Sequence, residues 1–369
     1  MYKILVFGMT ENPGGVESVI INYYRAIDKN KLQFDFLCNS YEKVAYEEEL
    51  IAAGGKTIHF PARSQNIIEY KKQLEIFFKE HAKEYQAIWV NVCSLANIDY
   101  LKLAKKYGIK KRIIHSHNSQ NMDSKMRGIL HELNKKNLEK YATDFWACSP
   151  DAADWFFKPE LKEKSVQIHN AIAVSKLAFD EKRRNQYRNE LKWNDKFIIG
   201  NIGRLHFQKN QQFLLDIFVK LQSKLPEARL VIIGQGEDEV ILKEKAQRVG
   251  IMDKVYFAGI QYDIAGWLST FDFFLFPSIF EGLPLVSLEA QANGVVMLAS
   301  ETAVPMEGRI NSNFATFDLS NNADDWADKI IDMKDKMNRM NNEQIKVNFV
   351  NAGYDIDTEV RKLERLLLG

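Results

Sequence analysis

The chain has 369 residues, of which 46% are hydrophobic and 27% are charged, and its formal net charge at pH 7 is +1. These are values of a folded globular protein, and they exclude a disordered chain. The small net charge gives no case for nucleic acid as a partner. The length suits two domains of about 150 to 200 residues better than one.

Features that would place the chain outside the cytoplasm are not found in the sequence. The thiols of Cys38, Cys93 and Cys148 lie in or beside apolar runs, without C-x-x-C spacing, which predicts reduced core cysteines. The start of the chain lacks the basic region and cleavage site of a signal peptide. No apolar run approaches the roughly 18 residues that a membrane span needs. We therefore expect a cytoplasmic protein, and any contact that it makes with a membrane is expected to be peripheral, at the inner face.

Apolar segments alternate with helical patterns through the first half of the chain. The first strand is predicted at 4–7, and a turn-rich loop with Gly14 and Gly15 leads to a helix from Val16 to about Ile27. Further strands are predicted at 34–38, 57–60, 87–93, 112–115, 144–148 and 165–169. Further helices are predicted at 44–53, 66–83, 95–107 and 122–141. This alternation predicts a doubly wound parallel sheet.

A polar segment at 170–192 precedes a second series of the same kind. Its strands are predicted at 197–202, 229–233, 254–258, 271–276 and 295–299. Its helices are predicted at 210–225, 237–249, 263–270 and 284–293, with helical patterns after 317. The predicted domains are an N-terminal domain, a C-terminal domain and a terminal helix, at 1–172, 173–350 and 351–369. Ligands of this architecture bind at the carboxyl ends of the strands.

The most informative stretch, 271–294, has the pattern strand, loop, helix. Pro284 stands where the first residue of a helix tolerates proline, and the amides that follow can hold anionic oxygens. Glu289, further into the helix, can accept both hydrogens of a vicinal diol. Phosphate beside ribose indicates a nucleotide. In the simpler alternative, Glu281 complements the helix dipole and Glu289 is a solvated helix residue.

The spacing from Glu281 to Glu289, with Gly282-Leu283-Pro284 after the first, resembles the E-x7-E signature of retaining glycosyltransferases of the GT-B fold, glycosyltransferase family 4. The resemblance implies an α/β fold of two Rossmann-like domains facing across a cleft, with C-terminal helices crossing back. It also implies that Glu281 orients sugar hydroxyls and that Glu289 holds the ribose. The other donor-binding positions implied in this stretch are Gly282, Leu283, Leu285 and Val286.

Two cations follow the strand predicted at 197–202. Gly203-Arg204 comes directly after the strand, and Lys209 lies before the next helix. An arginine fork and a lysine point charge suit a diphosphate, although both cations would serve equally as ordinary loop residues. The segment is similar to the G-R-L-x-x-x-K segment of the same family. This similarity implies donor binding at Gly203 and stabilisation of the diphosphate leaving group by both cations.

The first half contributes a glycine pair and a histidine pair. Gly14-Gly15-Val16-Glu17 is similar to the family's G-G-x-E, and a backbone without Cβ can approach a substrate closely. His115 and His117 share one face of a strand end, where metal ligation, cleft lining and a structural role are alternatives. Zinc would need a third ligand that no nearby spacing offers. The resemblance favours His117 near the transferred sugar, with His115 behind it.

No metal or other cofactor is predicted. The GT-B class needs no D-x-D metal site, so the acidic groups Asp324-Asp325 and Asp355-Ile356-Asp357 are interpreted as surface residues. A basic run in the first half is interpreted either as solvated helix faces or as a footing on anionic lipid. It comprises Lys102, Lys105, Lys106, Lys110, Lys111 and Arg112, with Lys135, Lys136 and Lys140 on the next helix.

The resemblance implies a retaining, metal-independent hexosyltransferase of the bacterial polysaccharide-synthesis type. Its partners would be a UDP-sugar and a glycan acceptor, plausibly lipid-linked, and its products would serve cell-surface or exopolysaccharide synthesis. The predicted catalytic residues are Arg204, Lys209, Glu281 and His117. A nucleotide-sugar epimerase of the same architecture and a non-catalytic partner of another transferase are the alternatives, and four charges converging on one site argue against the second.

Overall fold

The structure, a computed structural model, describes residues 1–118 and 125–369. It consists of two compact units, one formed by Met1–Ala171 with Ile356–Gly369 and the other by Ile172–Asp355. The boundary lies beside the predicted position at 172, and the last helix belongs to the first unit. Within the described ranges, no helix has both the length and the apolar character needed to cross a bilayer.

The first unit is a parallel sheet with helical connections. Its strands are β1 (Tyr2–Phe7), β2 (Leu32–Cys38), β3 (Thr57–His59), β4 (Ala87–Val92), β5 (Lys111–Ser116), β6 (Asp144–Ala147) and β7 (Val166–Gln167). Its helices are α1 (Gly15–Ala26), α2 (Glu47–Ala52), α3 (Ile67–His81), α4 (Asp99–Lys106), α5 (Lys125–Lys135), α6 (Pro150–Phe156), α7 (Pro159–Lys162) and α16 (Ile356–Leu368). Among the described residues, the strand order is β3-β2-β1-β4-β5-β6-β7.

The apolar runs form this sheet because both of its faces are covered. The side chains of Ile4, Leu5 and Val6 in β1 are fully buried, as expected for a central parallel strand. The helix predicted at 122–141 is α5 followed by a short 3-10 turn at Leu138–Lys140, and the predicted residues 122–124 lie outside the described ranges.

The second unit is fully described and repeats the architecture. Its strands are β8 (Phe197–Ile202), β9 (Ala228–Ile233), β10 (Val255–Gly259), β11 (Phe273–Phe276), β12 (Val296–Ser300) and β13 (Phe314–Phe317). Its helices are α8 (Val174–Leu177), α9 (Glu181–Leu191), α10 (Gln211–Lys224), α11 (Glu239–Arg248), α12 (Ile264–Thr270), α13 (Leu285–Asn293), α14 (Ala323–Lys336) and α15 (Asn342–Ala352). Its strands pair in parallel in the order β10-β9-β8-β11-β12-β13.

The polar segment at 170–192 contains two helices, α8 and α9, that apolar periodicity did not predict. Helix α9 is attached mainly through charge. The guanidinium of Arg184 donates to the carbonyl oxygens at the end of α12, and both Arg184 and Arg188 pair with Asp272. A helix held by hydrogen bonds to a neighbouring helix end carries little hydrophobic signal.

Two loops at the carboxyl edge of this second sheet are packed backbone to backbone. Gly234 follows β9 with a φ of 130°, and a Cβ there would lie 2.1 Å from the carbonyl oxygen of Gly203. A Cβ on Gly236 would lie 2.2 Å from the carbonyl oxygen of Leu205. Only glycine permits such an approach, so the loop after β9 fixes the position of the loop after β8.

Candidate active site

The loop after β11 is held from both sides at the carboxyl edge of the second sheet. The amide of Ile279 donates to the carbonyl oxygen of Gln208 at 2.8 Å, and Asn210 Nδ2 donates to the carbonyl oxygen of Pro277 at 3.0 Å. From the other side, the Thr302 hydroxyl donates to the carbonyl oxygen of Ile279 at 2.6 Å. The loop that carries Glu281 is therefore positioned by its neighbours on both sides.

Lys209 and Glu281 form an ion pair in this loop cluster. Lys209 Nζ lies 2.6 Å from Glu281 Oε1, and the two side chains are only 18% and 9% exposed. Gln208 Nε2 donates to the other carboxylate oxygen at 3.3 Å. Lys209 Nζ also lies 5.1 Å from the centre of the Phe276 ring. The two residues that the sequence assigned to diphosphate and to sugar are thus in direct contact.

Two glycines of the predicted donor site differ in their surroundings. A Cβ on Gly203 would lie 3.3 Å from Lys209 Cε, so this glycine leaves room for the aliphatic stem of Lys209. Gly282 is exposed, and a Cβ there would meet no described atom within 4 Å. Gly203 therefore has a packing function in the structure, whereas Gly282 leaves open space beside Glu281.

Arg204 has a partner that the sequence reasoning missed. Its guanidinium NH2 group lies 3.1 Å from Glu237 Oε2, and the Arg204 side chain is 70% exposed. His206 Nε2 lies 3.3 Å from the other oxygen of Glu237. Glu237 follows the close-packed glycines after β9, and that glycine-rich turn was the available signal. The Arg204 guanidinium, which the sequence assigned to diphosphate, is thus paired with the Glu237 carboxylate in the structure.

Helix α13 presents its first amides beside Glu281. It begins at Leu285, because Pro284 has the extended angles φ −71° and ψ 119° of a cap residue. The prediction of a helical Pro284 is wrong by one residue. The amide of Ser287 donates to the Pro284 carbonyl at 3.0 Å, so the amides of Leu285 and Val286 precede that first bond.

The side chains around this helix start serve the core. Leu283 and Leu285 are partly buried against an apolar cluster that includes Leu288 and Phe349. Val286 packs against a second cluster with Ala290. What these three residues can offer a ligand is therefore their backbone.

Glu289 lies in α13 and is partly buried. Loss of water around the carboxyl raises the pKa of Glu289 from 4.5 to about 7. Among the described residues, none forms a hydrogen bond or an ion pair with its side chain. The carboxyl therefore has unused acceptor capacity, as a ribose partner needs, but its binding role stays a prediction.

Replacing Glu289 tests this burial. Its folded-state pKa lies above its unfolded value, so its contribution to stability is complete at low pH and is lost as the pH rises through about 7. Glu289→Gln should raise the free energy of unfolding by about 1 to 3 kcal/mol at pH 8.5 relative to wild type, and should change it little at pH 4. Denaturant unfolding at both pH values measures the difference.

The matched control is Glu244→Gln, an exposed carboxyl on α11. It should leave the difference from wild type the same at both pH values. If Glu289→Gln also gave a pH-independent difference, the carboxyl would be solvated and the burial argument would be wrong.

The first unit holds both histidines at the end of β5, where Asn91 of the neighbouring strand β4 contacts them. Asn91 Nδ2 donates to the carbonyl oxygen of Phe7 at 3.2 Å, which turns its Oδ1 towards the histidines. That oxygen lies 2.9 Å from His117 Nε2 and 3.1 Å from His115 Nδ1. Asn91 was missed in the sequence, where a polar residue inside an apolar strand was the signal.

This geometry makes both histidines neutral. Burial lowers the pKa of His117 to about 3, and burial followed by the neighbouring His117 lowers the pKa of His115 far below its usual value. Because Asn91 Oδ1 is an acceptor, His117 carries its proton on Nε2 and keeps a lone pair on Nδ1. His117 can therefore accept a hydrogen bond from a hydroxyl but supplies no charge.

The glycine pair opens α1 in the same unit. The amide of Gly14 donates to Glu17 Oε2 at 3.1 Å, and the Thr10 hydroxyl donates to the other carboxylate oxygen at 2.5 Å. A Cβ on Gly14 would lie 2.8 Å from Glu17 Oε2, whereas one on Gly15 would meet no described atom within 4 Å. The Glu17 side chain thus caps the start of α1 by accepting from the Gly14 amide, and the space beside Gly15 is open.

Much of the predicted basic run is engaged within the first unit. Lys106 pairs with Glu75, and Lys111 Nζ lies 3.6 Å from a carboxylate oxygen of Asp144. Lys105 Nζ donates to a backbone carbonyl at 2.7 Å. Lys105, Lys106 and Lys111 are therefore engaged within their own unit.

The acidic groups are not all on the surface. Asp355 is fully buried and pairs with Lys346 at 2.5 Å, so its interpretation as a surface residue is wrong. Asp325 accepts from the amide of Asn322 and belongs to the cap of α14. Within the described ranges, no group of three or more potential ligands could hold a metal ion.

Residues 183–347 match a protein family described as "Glycosyl transferases group 1". The chain is 28% identical over 366 residues to EpsF of Bacillus subtilis, which is named as a glycosyltransferase, and the match covers 95% of this chain and 92% of EpsF. CapH of Staphylococcus aureus, named as a capsular polysaccharide biosynthesis glycosyltransferase, is 23% identical over 343 residues, with 89% of this chain and 90% of CapH covered.

Among solved structures, HepE of Anabaena in complex with UDP-glucose resembles the chain with a TM-score of 0.79, 17% sequence identity and full coverage of both chains. The likeness confirms the predicted fold class, a GT-B fold with two Rossmann-like parallel-sheet units. The family match and the relatives support glycosyl transfer as the activity of this chain.

Proposed function

We propose that this protein is a retaining glycosyltransferase of family 4. It transfers a sugar from a UDP-linked donor to a hydroxyl of a lipid-linked glycan acceptor in cell-surface polysaccharide synthesis. The observation that carries the proposal is the Lys209–Glu281 ion pair, which joins the loop after β8 to the loop that leads into the free amides of α13. Cation, carboxylate and amides together match what a nucleotide diphosphate sugar requires.

The diphosphate of the donor would compete with carboxylates of the second unit for the cations that they hold. Lys209 Nζ is neutralised by Glu281 and Arg204 by Glu237 in the structure. A diphosphate carries more charge than either carboxylate, so it would draw both cations to itself. Glu281 would then be free to accept hydrogen bonds from sugar hydroxyls, and the amides of α13 would hold the second phosphate.

Relatives favour this donor and this product class. The HepE complex contains UDP-glucose, and CapH is named for capsular polysaccharide biosynthesis. For the ribose, Glu289 offers a carboxyl without a described partner. The lipid-linked acceptor is proposed because growing surface polysaccharides are commonly built on such carriers.

Retention of the anomeric configuration follows if the acceptor attacks on the face from which the diphosphate leaves. The bond between the sugar and the diphosphate breaks, and a leaving-group oxygen takes the proton of the acceptor hydroxyl. Lys209, Arg204 and the first amides of α13 stabilise the charge that develops on the diphosphate. The neutral His117 would accept a hydrogen bond from a sugar hydroxyl through Nδ1.

Removal of the cations should slow the reaction. Lys209→Ala or Arg204→Ala should reduce kcat about 10²- to 10³-fold with UDP-sugar as donor, because each removes one group that stabilises developing charge. Lys243→Ala, which removes an exposed ion pair on α11, is the control and should retain activity. Steady-state kinetics test this, and near wild-type turnover in both variants would remove the diphosphate assignment.

Lys209→Ala also leaves a shielded carboxylate unpaired, so lost activity has a structural alternative. The double variant Lys209→Met/Glu281→Gln removes both charges of the pair. It should recover thermal stability relative to Lys209→Ala but not turnover. If turnover recovered together with stability, the pair would be structural and not catalytic.

Calorimetry of UDP and UDP-sugar binding should distinguish the roles of Glu281 and Glu289. Glu289→Gln should weaken free UDP and intact UDP-sugar alike, since a ribose contact exists in both. Glu281→Gln should leave free UDP binding unchanged or tighter, because it releases Lys209, and should instead lower kcat/KM and blur the choice between donor epimers. Loss of UDP affinity in Glu281→Gln with retention in Glu289→Gln would reverse the two roles.

The cations and amides supply the charge stabilisation that a metal ion provides in other transferases, so we propose that no metal is required. Activity should survive dialysis against EDTA, apart from a modest general effect of divalent ions on the nucleotide. Initial rates with and without chelator test this. Complete loss that one specific metal restores would contradict the proposed mechanism.

A further inference from the structure

A cavity of about 510 Å³ lies at the amino edge of the second sheet. Its lining includes Phe197, Phe273 and Val296, which are the first residues of β8, β11 and β12. The loops that hold Lys209 and Glu281 follow the carboxyl ends of β8 and β11, so the cavity lies at the other end of the same strands. A ligand in this cavity would therefore not overlap the proposed donor site.

Three guanidinium groups and one carboxylate lie together beside this cavity. A guanidinium NH2 group of Arg184 lies 2.5 Å from Asp272 Oδ1, and Arg188 pairs with Asp272 Oδ2. The amide of Ile198 also donates to Asp272 Oδ2 at 2.8 Å, so both oxygens of this carboxylate are engaged. Among the described residues, no carboxylate forms an ion pair with Arg339. The cluster therefore carries more positive than negative charge.

Arg339 is held by neutral groups. Its guanidinium donates to the backbone carbonyl of Asn293 at 3.1 Å and also to that of Phe271. Its central carbon lies 4.6 Å from the centre of the Phe179 ring. Burial, followed by the neighbouring Arg184, lowers the pKa of Arg339 to about 9. An anion in the cavity would therefore stabilise a charge that burial makes costly.

A purely structural role for these arginines is the simpler alternative. Helix α12 ends at Thr270 and α13 ends at Asn293, and guanidinium groups donate to the carbonyls of both residues, as capping cations do. Capping alone needs only contacts with the helix ends. Here Arg184, Arg339 and the exposed Lys334 also line an open cavity, so the capping role leaves the space beside them unexplained.

Much of the remaining wall of the cavity is apolar. Phe179, Phe197 and Met337 contribute to it. Lys334 Nζ lies 5.8 Å from the centre of the Phe197 ring and 3.3 Å from a carboxylate oxygen of Asp335, its exposed neighbour in the chain. Guanidinium groups suit the oxygens of a phosphate, and an aromatic wall suits an apolar ring or chain. The cavity thus combines the two kinds of contact that an organic anion requires.

We propose that this cavity binds a small organic phosphate, with the phosphate against Arg184, Arg339 and Lys334 and the organic part against the apolar wall. Phosphate is favoured over carboxylate because its terminal oxygens can accept from two guanidinium groups and an ammonium group at once. The proposal is independent of the donor, the sugar and the reaction. It gives the second unit a ligand site at the edge of the sheet opposite the proposed donor site.

Calorimetry of the full chain with phenyl phosphate tests the proposed site. Phenyl phosphate should bind more tightly than inorganic phosphate, which lacks the apolar part, and more tightly than benzoate, which has a carboxylate in place of the phosphate. Its binding should weaken as the salt concentration rises. The variant Arg204→Ala/Lys209→Ala removes the cations of the candidate active site and should bind phenyl phosphate as wild type does.

Replacing the buried Arg339 endangers the fold, so exposed residues of the lining provide the variants. Lys334→Gln removes one cation and Asn338→Asp adds one carboxylate. Each should weaken phenyl phosphate binding about fivefold, as expected from one charge at close range. The matched controls are Lys336→Gln and Asn342→Asp, which change the same charges at exposed positions outside the lining and should bind within about twofold of wild type. Thermal unfolding of each variant verifies the fold.

Four results would overturn the proposal. The first is absence of phenyl phosphate binding to wild type. The second is loss of that binding in Arg204→Ala/Lys209→Ala, since phosphate would then occupy the candidate active site. The third is binding of benzoate or inorganic phosphate as tight as that of phenyl phosphate, because the cavity would then not select an organic phosphate. The fourth is equal loss of binding in the cavity variants and their controls, since a general effect of surface charge would then explain it.

Discussion

The direction of the strands in the second unit is the constraint on which its candidate site depends. Because β8, β9, β11 and β12 run parallel, the loops that follow them meet at one edge of the sheet. The backbone contacts of Gly234 and Gly236 then set the distance between two of these loops. Charged side chains from different parts of the chain are therefore brought together by backbone geometry.

Within that edge, electrostatics decide what the site can bind. Lys209 and Arg204 are each held by a carboxylate, so these loops carry paired charges and not a bare cationic surface. Such pairing lowers the electrostatic repulsion between the cations of the site. It also makes binding more demanding, because a ligand must attract each cation more strongly than its carboxylate partner does. A dianionic or trianionic diphosphate does so more readily than a single phosphate or carboxylate.

The sequence predicted the alternating elements well because apolar runs and helical periods report burial directly. The strand at 197–202 and the order of the predicted strands and helices agree with the structure, whereas the short helices α6, α7 and α8 were not predicted. Helix α9 was not predicted because arginine side chains attach it to its unit. Strand β13, Phe314–Phe317, was not predicted because it is short and only partly buried. The periodicity of apolar residues reports contact with the hydrophobic core, and it does not detect a helix that is attached through arginine side chains.

The candidate site was predicted as a set of residues but not as a set of pairs. Motif spacing singled out Lys209 and Glu281, but nothing in the amino-acid sequence indicates that their side chains are in contact. Glu237 and Asn91 were missed for the same reason, since each acts by holding a residue that is distant in sequence. The prediction of a helical Pro284 failed by one position because proline tolerates both the cap and the first turn.

The two units differ in the kind of group that they offer. In the second, shielded or surface cations and helix amides favour an anion, and Glu289 adds an acceptor whose pKa of about 7 lets it ionise near neutrality. In the first, Asn91 and burial keep His117 uncharged, so that its free nitrogen accepts from a hydroxyl without attracting phosphate. A neutral hydrogen-bond acceptor suits hydroxyl groups, whereas a cationic cluster suits phosphate. The two units therefore differ in the ligand groups that they favour, because the first presents an uncharged acceptor and the second presents cations.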